Sequence, residues 1–471
     1  MAADVFLPLP GPAPDLLGGW RKVEPEFYKD PVAYTYRMFQ RHGDMVGLIK
    51  TTDPRKMPPK VFALGVEMNE RLTNTALFRP ARAEFFAGLA KSPAADPVAV
   101  TDLVCMPKAA LLMQASSELW LNRYGAELTR SASLAMDAWD RHRNGGAVDM
   151  MEALKPIVRR MTMQMVFGFE PEDEPGAIGP LLERIQSQAF LLDAGAVSGL
   201  FSSAGASTGE MRKASESALG MLQMLVKSAQ FAVGQPVVVA ALTEARGADG
   251  ASLTDAELLQ AIAGMYPAIE RGTIATCAWA MLMISQNISV LSTLQEELSV
   301  VLQGNLIKAS DLDRLPYLSG VVKETLRMFP PRALGARVLA EDGDLGAWHL
   351  PKGTIVIHSP YVTHRDSAVY DKPELFLPHR YQYHQPSVHE FVPLGDLAPA
   401  APLVEHVSRL LIGAIYQRYR PSLLPNQTIQ RRADVALEPA GPLAMFFVRD
   451  GMIFPVSAPR GAVTSMVEFG S

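Results

Sequence analysis

The stretch KETLRMFPP constrains the architecture of this chain more than any other, because it commits two opposite charges to one helical face beside a double proline. Glu324 and Arg327 stand three residues apart, so on a helix their side chains meet, and Pro330 and Pro331 end that helix at once. An isolated pair at this spacing is ordinarily a surface contact worth about 1 kcal/mol or less. Here two further elements follow. FLPHRY carries Arg380, and the aromatic-proline-glycine turn of Phe391, Pro393 and Gly395 leads into a helix from about Leu403 to Arg418.

In order and spacing, these elements resemble the cytochrome P450 superfamily. The resemblance implies that Glu324, Arg327 and Arg380 form a buried structural triad. It also implies that the Phe-Pro-x-Gly turn stands where the family presents a cysteine thiolate to haem iron. The ligand position is placed on Ala401, the family's preceding basic residue on Pro399 and its following glycine on Leu403. Alanine has no lone pair for a metal. The expectation is therefore a member of this fold without the haem-ligating cysteine, with no cofactor and haem absent.

The central helix, running from about Thr254 to Asn287, gives a second test. In the family's monooxygenases its middle carries Ala/Gly-Gly-x-Asp/Glu-Thr, where an acid and an alcohol deliver protons to bound oxygen. Registered on AWAMLMISQN, that motif falls on Ala268, Ile269, Glu270, Arg271 and Gly272. The small glycine has become Ile269, the acid Arg271 and the hydroxyl Gly272. Thr273 and Glu270 lie one place off, a rotation of about 100°. In VCMPKAALLM the resemblance expects an arginine for a haem propionate and finds none, whereas Arg337 in LGARVLA matches a family arginine near haem. Cys105 and His406 are the remaining candidates for an iron ligand; each reads more simply as a small buried hydrophobe and a backbone- or solvent-facing histidine. Cys277 reads as core.

The resemblance covers nearly all of the 471 residues, and no linker, charge run or repeat divides them. The expected architecture is mainly α with small β-sheets: a proline-rich arm over residues 1–20, then one large domain over 21–471. A formal charge of -5, from 44 basic and 49 acidic residues, argues against a nucleic-acid partner. Two cysteines far apart give no disulfide framework and suit a reducing cytoplasm. The N-terminal arm lacks the pattern of a signal peptide, and no apolar run is long enough to be a transmembrane segment.

Local signals set the remaining elements. Asp30 and Pro31 open a first helix, MVGLIK and KVFALG are short strands, and VEMNERLTN is a short helix. Helices are expected over 116–143 and 148–167, and short strands at ARVLA and GTIVIH. Residues 75–105 read as a binding-site loop and 186–217 as a small-residue lid. The acidic group Glu170, Glu172, Asp173 and Glu174 reads as a solvated loop rather than a metal site, and no metal is expected.

Function reads three ways. The first is an enzyme of natural-product biosynthesis that binds an apolar molecule and catalyses a non-redox cyclisation or rearrangement of an isoprenoid or polyketide chain. Glu270 and Arg271 would be catalytic, Glu270 as a proton donor. Phe85, Phe86, Tyr266, Ile269, Thr273 and Leu334 would bind substrate, with aromatics stabilising cations. No Asp-rich diphosphate motif is visible. The second is a non-catalytic auxiliary protein that stabilises a biosynthetic partner such as a glycosyltransferase. The third is a haem-binding monooxygenase or peroxygenase with a non-standard ligand. An ion pair made by Glu270 and Arg271 with each other or with neighbours is the plainer account of those two charges.

Overall fold

A computed structural model describes residues 9–12, 26–27, 30–49, 59–73, 77–80, 109–140, 146–169, 222–230, 237–433, 436–448 and 458–469. In chain order the helices are α1 (Pro31–His42), α2 (Val66–Leu72), α3 (Ala109–Gln114), α4 (Glu118–Asp140), α5 (Met150–Phe167) and α6 (Val238–Glu244). They continue as α7 (Asp255–Gln286), α8 (Ile288–Leu302), α9 (Pro316–Met328), α10 (Pro360–Thr363) and α11 (Ala401–Arg418). The strands are β1 (Met45–Ile49), β2 (Lys60–Ala63), β3 (Phe78–Pro80), β4 (Val148–Asp149), β5 (Gly335–Leu339) and β6 (Gly343–Leu345). They are followed by β7 (Trp348–Leu350), β8 (Ile355–His358), β9 (Arg420–Leu423), β10 (Gln430–Ala433), β11 (Leu437–Ala440) and β12 (Ala444–Val448).

Helix α7 is the axis. Its start is held by a capping box: Thr254 Oγ1 accepts the Glu257 N–H at 3.3 Å, and the Glu257 carboxylate accepts the Thr254 N–H at 2.8 Å. Every residue from Gly272 to Ile284 is buried, the mark of a helix apolar all round that runs through a core. The helix continues through Pro267, which removes one backbone donor without ending it. Against it pack α5, α9 and α11, with α4 seated on α5 and α11, and their buried faces merge into one apolar cluster.

The sheets flank this bundle. One has the order β1-β2-β8-β5-β3, parallel only between β2 and β8, with its own smaller apolar clusters. The others are β4-β12-β9, the β10–β11 hairpin and the β6–β7 hairpin. The fold is thus mainly helical with small sheets. Asp30 caps α1, its carboxylate accepting the Ala33 N–H at 3.0 Å. Among the described residues, no single helix is long and apolar enough to cross a membrane. The acidic group 170–174, the segment 186–217 and all of 75–105 except 77–80 lie outside the described residues.

Candidate functional site

Site geometry begins at α9, where Glu324 and Arg327 are both fully buried. Arg327 Nε donates to Glu324 Oε2 at 2.9 Å and Arg327 Nη2 to Oε1 at 2.9 Å. Arg380 Nε donates to the same carboxylate at 3.0 and 3.1 Å, and the Leu377 N–H adds a bond of 2.9 Å. The guanidinium groups spend their remaining donors on carbonyls: Arg327 Nη1 on His364 at 2.7 Å and Arg380 Nη1 on Asp371 at 2.8 Å. Burial works against the Arg327 charge, but the Glu324 carboxylate outweighs it and holds that group above its ordinary pKa. The close approach needs Gly320, since a Cβ there would sit 2.4 Å from the Pro378 carbonyl oxygen.

His364 ties this triad to the turn that follows. Its Nε2 accepts the Val392 N–H at 2.9 Å, so the ring proton sits on Nδ1 and donates to the Arg327 carbonyl at 3.0 Å. The ring stacks on Phe391 with centroids 5.5 Å apart. Burial, then the nearby Arg327 charge, pushes His364 down to about 3, so the imidazole is neutral at ordinary pH. Sequence reasoning missed this residue, because nothing in THRD distinguishes a bridging histidine from a surface one.

The chain then turns at Gly395, in the left-handed region at φ 51°, and passes through a 3-10 segment, Gly395–Ala400, into α11. Ser116 donates its hydroxyl to the Pro399 carbonyl. From Leu394 to Val404 the sequence holds Ala398, Ala400 and Ala401 and no cysteine or histidine, so a shift of register by a few residues supplies no thiolate. Opposite, α7 lies directly on the turn: a Cβ on Gly272 would come 3.1 Å from Val404 Cγ2 and 3.7 Å from Leu394 Cδ2. The residues at this place therefore do not fit a haem held by a thiolate from the turn.

Other candidate ligands sit elsewhere. Cys277 is fully buried on α7 near Ser408, and burial pushes its thiol up to about 12. His406 is buried on α11 with Arg409 and Asp313 as charged neighbours; burial, then Arg409, lowers it to about 4. Arg337 is buried on β5 opposite Val356. Cys105 lies outside the described residues.

The two charges of α7 answer to different walls. Glu270, 1% exposed, accepts from Arg159 Nε of α5 at 3.2 Å. Arg271 Nη2 donates to Glu438 Oε1 of β11 at 2.9 Å, and Arg432 reaches the same carboxylate. The packing thus gives each charge its own neighbour rather than joining them in one pair. Trp279 fixes the hairpin further along, donating Nε1–H to the Leu437 carbonyl at 2.8 Å.

Of the remaining residues singled out from sequence, Tyr266 stacks on Phe167 with centroids 5.7 Å apart. Ile269 and Thr273 are fully buried on α7. Leu334 packs against the sheet's apolar cluster. Phe85 and Phe86 lie outside the described residues. Neither Arg159 nor Glu438 was foreseen, since each meets α7 from a distant part of the chain.

Comparison with known proteins gives a match to the family model "Cytochrome P450" over residues 126–395. The chain is 30% identical over 204 residues to a cyclooctatin synthase of Streptomyces melanosporofaciens, covering 42% of this chain and 44% of that one. It is 25% identical over 297 residues to a cytochrome P450 139 of Mycobacterium bovis, covering 58% and 64%. Over 135 residues it is 30% identical to a flavonoid 3'-monooxygenase of Arabidopsis thaliana, covering 28% and 26%. The chain spans less than two thirds of the length of each of these relatives. The expectation that no cofactor belongs to this chain is corrected by these matches: the family is one of haem proteins, and its members normally bind haem.

Proposed function

The chain belongs to the cytochrome P450 family, and from that premise we propose that it binds an apolar, natural-product-sized molecule against α7 and catalyses a non-oxidative rearrangement or cyclisation. Glu270 is the proton-transfer group. The observation that carries this reading is a carboxylate 1% exposed in the middle of the central helix, with one oxygen held by Arg159 and the other unfilled. Buried carboxylates without a full set of donors are retained where they have a task. The similarity to a cyclooctatin synthase supports a natural-product substrate class.

When bound in this family, haem supplies oxygen activation. The cysteine-free stretch Ala398-Pro399-Ala400-Ala401 and the close approach of α7 at Gly272 to Leu394 and Val404 do not suit its thiolate-held form, so no step is routed through it. The chemistry assigned to this chain's own residues is proton transfer at Glu270 Oε2: the carboxylate takes a proton from one carbon of the bound molecule and returns it to another, so an isomer leaves and the protein is unchanged. Arg159 orients the carboxylate, and Tyr266 and Phe167 form an aromatic wall one turn along the helix. The expected outcome of Glu270→Gln is a loss of about 10²–10⁴ in turnover of linear isoprenoid and polyketide chains, followed by mass spectrometry of isomeric products. Unchanged turnover in that variant would remove Glu270 from the chemistry.

A second reading, a non-catalytic partner of a biosynthetic enzyme, draws on Tyr383 and Val388. These are 84% and 77% exposed on the segment just before the turn at Gly395.

A further inference from the structure

Three buried polar atoms are left without hydrogen-bond partners among the described residues at one helix–helix seam: Thr162 Oγ1 of α5, and Glu270 Oε2 and Thr273 Oγ1 of α7. Their residues are 0%, 1% and 0% exposed. The 3.2 Å contact of Arg159 with Glu270 fixes which faces of α5 and α7 meet. Thr162 lies one turn from Arg159 and Thr273 one turn from Glu270, so all four share those faces. At one end the seam is closed by Phe167 stacked on Tyr266.

The ordinary outlet for a helical threonine is the carbonyl four residues back, and Thr276 takes it, donating to Gly272 at 2.6 Å. Thr273 and Thr162 do not. Glu270 Oε1 is satisfied by Arg159, which offsets the charge, but Oε2 still accepts from nothing. Buried polar groups in native proteins are almost always satisfied, and those that are not mark an ordered water or a ligand. The missing partner must donate to a carboxylate oxygen and exchange hydrogen bonds with hydroxyls. That chemistry is an O–H or N–H group, and an anion is excluded by the carboxylate itself.

We propose that the α5–α7 seam is a polar subsite that takes the hydroxyl or ammonium group of an otherwise apolar molecule, with Glu270 Oε2 as acceptor and Thr162 and Thr273 beside it. The assignment rests on the reading that an apolar molecule lies against α7, and it narrows that molecule to one carrying a hydrogen-bond donor.

The test is calorimetric titration of the full chain with four probes of equal length: decane, decan-1-ol, decylammonium and decanoate. The alcohol and the ammonium are expected to bind about tenfold or more tighter than decane, and decanoate more weakly. In Glu270→Gln the advantage of the ammonium over decane falls about tenfold. Thr273→Val and Thr162→Val, which remove a hydroxyl at nearly constant shape, reduce the preference for the alcohol. Decane binding with no head-group preference would overturn the polar subsite and leave the apolar-ligand reading standing. Binding of none of the four would mean that the seam holds water alone, and would overturn both.

Discussion

Replacing Glu324 with alanine is expected to lower the unfolding free energy by about 3–5 kcal/mol, more than any other single substitution in the triad. The wild-type carboxylate receives Arg327, Arg380 and the Leu377 N–H in a site from which water is excluded. Its removal leaves two guanidinium groups buried with carbonyl partners but no counter-charge. Glu324→Gln keeps the shape and loses the charge, so it falls between wild type and Glu324→Ala. Removing Arg380 instead, as Arg380→Met, leaves the Glu324–Arg327 pair intact and costs less than Glu324→Ala. Denaturant unfolding of the three variants checks the order; a cost near zero for Glu324→Ala would mean that the triad contributes no stability.

The second large effect is on acid stability. His364 titrates near 3 in the folded chain against about 6.5 when unfolded, because burial and the Arg327 charge oppose its protonation. Its pKa is depressed, so the unfolded chain binds the extra proton first as pH falls. The stability that depends on neutral His364 is complete above about pH 6.5 and is lost progressively between there and about pH 3, at about 1.4 kcal/mol per pH unit. The total over that window is several kcal/mol. His406, lowered to about 4, acts in the same direction over a narrower window. Urea unfolding at pH 7, 5.5 and 4 should show a steep decline in the wild type and a shallower one in His364→Gln, whatever that variant's stability at pH 7. Equal slopes would contradict the bridge from Arg327 to Val392.

Where the chemistry of folding is local, the sequence was readable. Asp30 before Pro31, Thr254 before Glu257, and Glu324 three residues from Arg327 all declare their roles over one helical turn, and each takes the geometry that such spacing allows. Partners supplied from afar were not readable. Arg159, which meets Glu270, comes from α5, and Glu438, which meets Arg271, comes from a hairpin 167 residues away. Helical geometry turns neighbouring residues by about 100°, which is why Glu270 and Arg271 meet different partners. The cofactor expectation failed for another reason: it was drawn from the ligand turn and the altered motif of the central helix, whereas membership of a haem-binding family rests on the matched span of residues 126–395.

Central to the proposed function is a P450 frame whose turn before α11 offers no thiolate, leaving Glu270 to carry the chemistry. The most direct measurement is the ferrous carbonyl absorption spectrum of the full chain, produced in cells supplied with a haem precursor. The expected result is that no thiolate-type carbonyl band appears, with a neutral-donor spectrum for any haem taken up. A thiolate-type band in stoichiometric yield would contradict it and assign the ligand to Cys105 or Cys277, the two cysteines of the chain.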